Sequence, residues 1–184
     1  MRFRKLPFKT SLAAVILCGA MVGVAQKPEP AGTEMKKLAG ALAGQWLIVE
    51  KDEPTSRQPQ GETARGEEEW QVLPGGMPLM EKFRAKFAAG EQYDSAFVWW
   101  DAKTARFRGM WCAAFNQQGC TAFDVNWQGD AIVMTGEYLQ DGKPMFWSET
   151  FTPGTDAFTQ TLDMGESLGK LKRVATIHAT RAKK

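Results

Sequence analysis

Charged side chains inside otherwise apolar alternating segments are the residues of this sequence best placed to do chemistry. Glu81, Glu149 and Arg173 each share a parity with apolar neighbours, and Glu68 and Gln160 show the same pattern. An unpaired charge in a dry core is costly, so each charged group must find a partner, water or a ligand. Two interpretations stay open. In the first, Arg173 pairs with a glutamate inside the fold, or a slip in strand parity returns one of the charged residues to solvent. In the second, the charged groups form a polar site that orients a small ligand in an aromatic-lined cavity.

The sequence around these groups contains no recognisable catalytic motif. Two glutamates about 5–9 Å apart would serve glycoside hydrolysis, but acidic residues on separate segments do not predict that spacing. A Ser-His-Asp arrangement would have to use His178, which is the only histidine of the chain. A glycine-rich phosphate loop between a strand and a helix is also missing from the sequence. We therefore assign no catalytic residue, and a small hydrolase or isomerase stays an alternative.

His178 is predicted to point to solvent. In LKRVATIHATR the parity of Ala175 and Ile177 is the more apolar one, whereas His178 shares its parity with Lys172 and Thr176. A haem ligand would have to point inward, which a β-bulge could still achieve. No metal site is predicted, because two cysteines and one distant histidine fall short of the four ligands of structural zinc.

Cys112 and Cys120 flank a single turn on consecutive alternating segments and fall on the same, more polar parity. Once the N-terminal segment with Cys18 is removed, this even pair predicts a disulfide, with two free thiols as the alternative. A ring this small stabilises the fold by about 2.5 kcal/mol in the loop-entropy description.

The N-terminus has the form of a secretory signal peptide. Arg2, Arg4, Lys5 and Lys9 precede an apolar run that ends at Ala25 and is too short to span a bilayer. The sequence predicts a signal peptide over 1–25, a polar leader over 26–32 and one domain over 33–184. The mature chain would be periplasmic or secreted, with no membrane span; a lipoprotein attached through Cys18 is the alternative.

The amino-acid composition gives further information about the class of protein. The mature chain is slightly acidic with dispersed basic residues, which gives no indication of nucleic-acid binding. Seven tryptophans and eleven phenylalanines must be buried or used as binding surface.

The elements that would position these residues are one helix and a series of strands. Thr33 is expected to cap a helix whose apolar stripe includes Leu38 and Leu42 and which ends at Gly44. About ten alternating segments follow, separated by turn residues, which predicts antiparallel strands with one polar face. An all-β, ten-stranded antiparallel up-and-down barrel would leave no free edges, and a two-sheet sandwich is the alternative.

In a barrel of this kind the last strand closes onto the first. The start of the first strand, at Trp46, then meets the end of the last, at Arg181. A guanidinium stacked on the indole would close the barrel floor, which is worth about 0.5–2 kcal/mol.

Several segments resemble known barrel families. The short helix, the Gly44–Trp46 motif, the series of strands and the terminal Arg181 resemble the lipocalin-like (calycin) superfamily. LAGALAGQW, GEEEWQVLPGGMPLMEKF and VWWDAKTARFRGMW are similar to an uncharacterised family of bacterial secreted lipocalin-like domains. This resemblance implies a ten-stranded barrel and ligand binding, without a chemistry. More distantly the layout is similar to nitrobindin-type haem barrels, whose proximal ligand is a histidine near the C-terminus, so His178 is the candidate haem ligand.

The sequence thus predicts an exported lipocalin-like barrel that binds a small, largely apolar molecule and has no resident cofactor. Alternatives are a haem-binding nitrobindin-like protein, a small enzyme, and a filled barrel that acts only through its surface. The predicted ligand-binding residues are Trp70, Glu81, Phe83, Trp111, Phe123, Trp127, Trp147, Glu149, Phe151 and Arg173.

Overall fold

The computed structural model describes residues 32–55, 59–76, 78–113 and 119–183. The predicted signal peptide and the predicted leader up to residue 31 lie outside the described residues.

One helix precedes ten strands. Helix α1 covers Thr33–Leu42. The strands are β1 (Gly44–Asp52), β2 (Glu62–Val72), β3 (Leu79–Phe87), β4 (Gly90–Asp101), β5 (Arg106–Ala113), β6 (Cys120–Gln128), β7 (Ala131–Gln140), β8 (Lys143–Pro153), β9 (Ala157–Gly165) and β10 (Lys172–Arg181). A single 3-10 turn, Leu168–Lys170, lies between β9 and β10.

The strands form a closed barrel. Each strand pairs with the next one along the chain, and β10 returns to pair with β1. All the pairings are antiparallel. The predicted all-β, ten-stranded up-and-down barrel with a preceding helix is therefore confirmed, and the sandwich alternative is wrong. Closure pairs the edges that an open sheet of this size would expose.

Helix α1 packs against the barrel at the end where β1 begins. Its buried residues are Met35, Leu38 and Leu42, which recur at helical spacing and join the barrel core. Lys37 lies over the ring of Trp127, with its Nζ 3.9 Å from the ring centroid.

The predicted N-cap at Thr33 is wrong by one residue. Gly32 occupies the cap position and its carbonyl accepts a hydrogen bond from the Lys36 amide at 3.2 Å. Thr33 is the first helical residue, and no side chain caps the helix. An N-cap glycine leaves the first turn without the side-chain acceptor that a threonine would provide.

Trp46 and Arg181 lie opposite each other in the β1–β10 register and stack, as the closure of the barrel requires. The guanidinium carbon is 4.2 Å from the centre of the Trp46 ring. Trp46 Nε1 donates to the Leu42 carbonyl at 2.8 Å, and Arg181 Nη1 donates to the Ala43 carbonyl at 3.2 Å, so both side chains hold the end of α1. Gly44 has φ +144°, and a Cβ there would lie 2.4 Å from Arg181 Nη1. Glycine adopts this positive φ without strain and leaves room for the guanidinium group.

The disulfide between Cys112 and Cys120 is present. The two residues are direct partners in the β5–β6 ladder, with Cα atoms 4.1 Å apart. The bond lies at the end of the barrel opposite α1, where β5 ends and β6 begins.

The barrel interior differs between its two ends. Apolar residues fill the half next to α1, where Trp46 packs edge-on against Phe158 with ring centroids 4.8 Å apart. Trp70 and Phe151 make a second edge-on contact there, at 6.0 Å. The other half contains polar groups and an open space. Within the described residues, no helix has the length and apolar character needed to cross a bilayer.

Candidate functional site

A cavity of about 300 Å³ lies inside the barrel, in the half away from α1. Side chains from β1, β3, β4, β5, β6, β7, β8, β9 and β10 surround it, because alternate residues of these strands point inward. The volume is at the lower end of the range that small-molecule sites occupy.

Aromatic rings make one wall of the cavity. Trp147 lies 6.2 Å from Trp111 and 5.5 Å from Phe123, measured between ring centroids. Tyr138 adds an edge-on contact to Trp111 at 6.5 Å. Gly136 makes room for this wall, because a Cβ at that position would come within 2.7 Å of the Trp147 indole.

Carboxyl groups also line the cavity. The lining contains five of them, from β1, β3, β4 and β8: Glu50, Asp52, Glu81, Asp94 and Glu149. None of the described residues that line the cavity is a lysine, an arginine or a histidine. As far as the described residues show, the site is therefore an acidic and aromatic cavity without a basic counter-charge.

Glu50 and Asp52 form a hydrogen-bonded pair on β1. Burial, followed by the charge of Asp52, raises the pKa of Glu50 to about 8. Burial also raises the pKa of Asp52, although its hydrogen bond with Glu50 opposes that rise. These pKa shifts indicate that Glu50 carries the proton and donates a hydrogen bond to Asp52.

Glu68 and Glu81 form a second hydrogen-bonded pair, across β2 and β3. Glu68 is fully buried behind the cavity and also accepts a hydrogen bond from Trp70 Nε1. Burial raises the pKa of Glu68 to about 7, against the effect of both hydrogen bonds. Burial and then the Glu68 charge raise the pKa of Glu81 well above its ordinary value. Glu81 is thus the protonated partner and Glu68 the acceptor.

The two remaining carboxyls each have an amide neighbour. Glu149 lies deep in the barrel, where burial raises its pKa to about 8 despite a hydrogen bond from Gln160. Gln92 Nε2 donates to Asp94 Oδ2 at 2.8 Å. Burial raises the pKa of Asp94 to about 6 against that hydrogen bond.

Several buried polar atoms around the cavity have no hydrogen-bond partner among the described residues. Glu50 Oε2, Gln160 Oε1 and Trp147 Nε1 line the cavity, in residues that are 8%, 4% and 6% exposed. Buried polar atoms are almost always paired in folded proteins, so atoms of this kind mark a place where a further group binds.

A metal-ion site is not preformed. Among the described residues, no group of three or more His, Cys, Asp or Glu side chains has an arrangement that could hold a metal ion.

Six of the predicted ligand-binding residues line the cavity: Glu81, Phe83, Trp111, Phe123, Trp147 and Glu149. Three others face the interior elsewhere. Trp70 and Phe151 are packed in the filled half of the core, and Trp127 lies beneath Lys37 of α1. Parity correctly assigns these three to the interior, but it carries no information about depth along the barrel.

The predicted inward position of Arg173 is wrong. The sequence predicts that it reaches into the barrel, whereas the structure places it on the outer surface, where it pairs with Asp163 at 2.7 Å. The pairing of β10 with β9 shifts register between Arg173 and Ala175, so Val174 is an inserted residue. A bulge of this kind reverses the parity of the residues before it. The internal pair between Arg173 and a glutamate is therefore wrong as well.

His178 is exposed on the outer face of β10, beside Thr159 Oγ1 at 3.4 Å from its Nδ1. The bulge lies before this residue in the chain, so it does not turn His178 inward. The imidazole does not reach the cavity.

Sequence reasoning left out Glu50, Asp52 and Asp94. The β1 sequence IVEKD does place Glu50 and Asp52 on the parity of Ile48, which is the signal that would have found them. Asp94 lies in YDSAFVWWD, where both parities carry large apolar residues. The structure resolves that ambiguity, since Val98 is fully buried and Phe97 is not.

Two further depressions lie on the outer surface of the barrel. One is lined by side chains such as Lys82, Arg84 and Tyr93, and the other by side chains such as Arg108 and Asp124. The charged residues there pair with one another, as Arg108 does with Asp124 at 2.7 Å. Glu68 and Asp94, each with a buried oxygen that has no hydrogen-bond partner among the described residues, also border the first depression.

The fold and the site together define a closed ten-stranded antiparallel barrel with an internal acidic and aromatic cavity. A solved structure with the same fold is that of Rv2717c from M. tuberculosis, at a TM-score of 0.55 and 12% sequence identity. The alignment covers 83% of this chain and 99% of that chain. A likeness at this identity shows the fold alone. No family model matches the chain, and a comparison with curated proteins finds no match.

Proposed function

We propose that this chain is an exported, lipocalin-like barrel that binds a small, largely apolar ligand in the cavity lined by aromatic rings and carboxyl groups. The observation that carries the proposal is the cavity of about 300 Å³ itself, which lies inside the barrel and is lined by six aromatic rings as well as by polar groups. Apolar pockets with a few converging polar groups are the usual form of small-molecule sites.

The distribution of aromatic residues supports this use of the interior. Trp46, Trp70 and Phe151 are buried in the filled half and leave it closed. Trp111 and Trp147 border the open half instead. A barrel that acted only through its surface would have no need for an unfilled half, since a void in a core costs stability in proportion to its size.

The location of His178 does not favour the haem-binding alternative. That alternative requires the imidazole as an inward ligand, and the side chain is exposed on the outer face of β10.

Export is part of the proposal. The Cys112–Cys120 disulfide is the structural feature that supports it, because disulfides persist in oxidising compartments such as the periplasm and the extracellular space.

A cavity-filling variant tests the binding proposal. Ala96 is buried and lines the cavity, so Ala96→Leu removes ligand volume. Ala122→Leu makes the same change on the exposed outer face of β6 and is the matched control. The full chain is exported, purified and titrated with propylbenzene by calorimetry, with native mass spectrometry for copurified ligands.

We expect wild type and Ala122→Leu to bind propylbenzene equally and Ala96→Leu to bind it at least tenfold more weakly. Equal binding by all three proteins would contradict the cavity as the site. No binding by wild type, together with no copurified mass, would contradict the function.

A further inference from the structure

We propose that the ligand of this cavity is a protonated primary or secondary amine on an apolar body. The ammonium group binds among the carboxyls of Glu50, Glu81 and Glu149, and the apolar body contacts the aromatic wall. This inference rests on the proposed function and specifies the ligand class of the same site.

Charge is the first argument. Five carboxyl groups converge on the cavity, and no basic side chain among the described lining residues faces them. Buried charges in proteins are paired, and a carboxylate without a partner is strongly disfavoured. Without a cation these carboxyls share or retain protons, as the Glu50–Asp52 and Glu68–Glu81 pairs do, and a neutral apolar ligand would leave them so. A bound cation supplies the counter-charge that allows one of them to ionise.

The unpartnered atoms are the second argument, and they are independent of the count of acidic residues. Gln160 Oε1 is an acceptor in a residue only 4% exposed, and it lines the cavity without a hydrogen-bond donor among the described residues. Glu50 Oε2 lines the same cavity and also has no hydrogen-bond donor among the described residues. An ammonium group has N–H donors and no acceptor, which is the complement of these two atoms. An anionic ligand could accept a hydrogen bond from the unpaired Trp147 Nε1, but it would place further acceptors beside Glu50 Oε2 and Gln160 Oε1.

The aromatic wall is the third argument. Trp111 and Trp147 present indole rings 6.2 Å apart at the cavity surface. Tryptophan is the best ring for attracting a cation, and aromatic rings are an established means of binding organic ammonium groups. The same rings accept the apolar body.

An organic cation fits better than a metal ion. The described acidic residues do not form a group of three ligands around a point. A space of about 300 Å³ also far exceeds what a bare ion fills. An ammonium group attached to a ring or chain can contact carboxyls on separate strands and fill the remainder.

Three probes of matched size test the inference by calorimetry at pH 7.5. They are 2-phenylethylamine, which is a cation; propylbenzene, its neutral isostere; and phenylacetate, an anion. We expect the amine to bind wild type at least tenfold more tightly than propylbenzene, and phenylacetate to bind more weakly than both.

Two variants locate the effect. Glu149→Gln and Glu81→Gln keep the shape of the side chain and remove its ability to ionise. Each should reduce the affinity for the amine at least fivefold more than the affinity for propylbenzene. Glu137→Gln, on the exposed face of β7, makes the same change in net charge outside the cavity and should alter neither affinity.

Each outcome bears on one proposal or the other. If propylbenzene binds and the amine binds no more tightly, the amine inference is overturned and the apolar binding function stands. Amine binding that Glu137→Gln weakens as much as Glu149→Gln does would also overturn the inference, since the attraction would be a surface effect. If no probe binds and Ala96→Leu changes nothing, both proposals fail. Calcium binding in place of amine binding would likewise overturn the inference.

Discussion

Buried carboxyls set the chemistry of the interior. Desolvation raises the pKa of Glu50 and of Glu149 to about 8 and that of Glu68 to about 7, because no basic side chain among the described lining residues compensates them. Glu81 is raised well above its ordinary value by burial and then by its neighbour Glu68. These groups retain protons at a pH where exposed glutamates have lost theirs.

The stability of the unliganded protein should fall as the pH rises. Exposed glutamates in the unfolded chain titrate at about 4.3. The folded state therefore binds more protons than the unfolded state from there up to about pH 8. The free energy of unfolding decreases with pH across that window, since the slope follows the difference in bound protons. We expect a higher melting temperature at pH 5 than at pH 8, measured by calorimetry.

Glu149→Gln should reduce this pH dependence. The amide cannot ionise, and the pKa of Glu149 is raised to about 8, so the variant should exceed wild type in unfolding free energy by about 4–5 kcal/mol at pH 8 and by only about 1 kcal/mol at pH 5. Glu137→Gln, on the outer face, is the control and should keep the slope of wild type. A wild-type stability that rises between pH 5 and pH 8 would contradict the proposed protonation of the buried groups.

Arg173 should be dispensable for both binding and stability. Its ion pair with Asp163 lies at the surface, with the two side chains 42% and 24% exposed. Exposed pairs contribute about 0–1 kcal/mol. Arg173→Ala should lower the unfolding free energy by less than about 1 kcal/mol and leave the affinity for 2-phenylethylamine unchanged. Loss of binding in this variant would restore the inward role that the sequence pattern suggested.

At the scale of elements, the two ends of the barrel are secured differently. Helix α1 places Met35, Leu38 and Leu42 against the end where β1 begins. At the opposite end, the β5–β6 hairpin is cross-linked by Cys112 and Cys120. The cavity lies in the half nearer the disulfide.

Removal of the disulfide should destabilise the protein without changing its ligand. The bond closes a ring with a sequence separation of 8, for which loop entropy gives about 2.5 kcal/mol. The Cys112→Ser, Cys120→Ser variant should lose about this much in urea unfolding, and reductant should lower wild type by the same amount. Both sulfur atoms lie on the outer parity, so probe affinities should stay within twofold. An equal stability of the oxidised and reduced protein would contradict this account.

Truncation of the helix core should cost more than any surface change. Leu38 is fully buried between α1 and the barrel. Leu38→Ala should lower the unfolding free energy by about 2–5 kcal/mol, through lost apolar burial and the cavity left behind. Lys36→Ala, on the exposed face of the same helix, should stay within about 0.5 kcal/mol of wild type. If the two variants were equally stable, α1 would not be part of the core.

For the whole molecule, the decisive event is the pairing of β10 with β1. That pairing joins residues 123 to 135 positions apart in the chain, from Asp52 with Ala175 to Trp46 with Arg181. The stacked Trp46 and Arg181 and the end of α1 meet at this closure. One small group of contacts thereby joins both termini of the domain.

Arg181→Ala should weaken this closure. The substitution removes a cation–π contact at 4.2 Å and a hydrogen bond to the end of α1, which together predict a loss of about 1–2 kcal/mol. Arg181→Lys should recover only part of it, because an ammonium group cannot stack as a planar guanidinium does. The measurement is urea unfolding, with Arg173→Ala as the matched surface arginine. A smaller loss for Arg181→Ala than for Arg173→Ala would contradict a role in closure.

Much of the architecture could be predicted from the sequence, for identifiable reasons. Period-two alternation is local, and it correctly assigned Glu81, Phe83, Trp111, Trp147 and Glu149 to the interior. Short turns between the strands made neighbours in the chain neighbours in space, from which both the up-and-down order and the Cys112–Cys120 bond follow.

The tertiary structure decided what alternation does not encode. Depth along the barrel separates Trp70 and Phe151, which fill the core, from Trp111 and Trp147, which border the cavity. A single inserted residue, Val174, turns Arg173 outward, so the cation that the sequence predicted for the interior lies at the surface. The sequence by itself thus determined the inward residues of most regular strands, because side-chain parity is a property of each strand, but not those beside the bulge in β10. Only closure of all ten strands determined which of those residues meet around one acidic cavity, because convergence depends on register and position around the barrel.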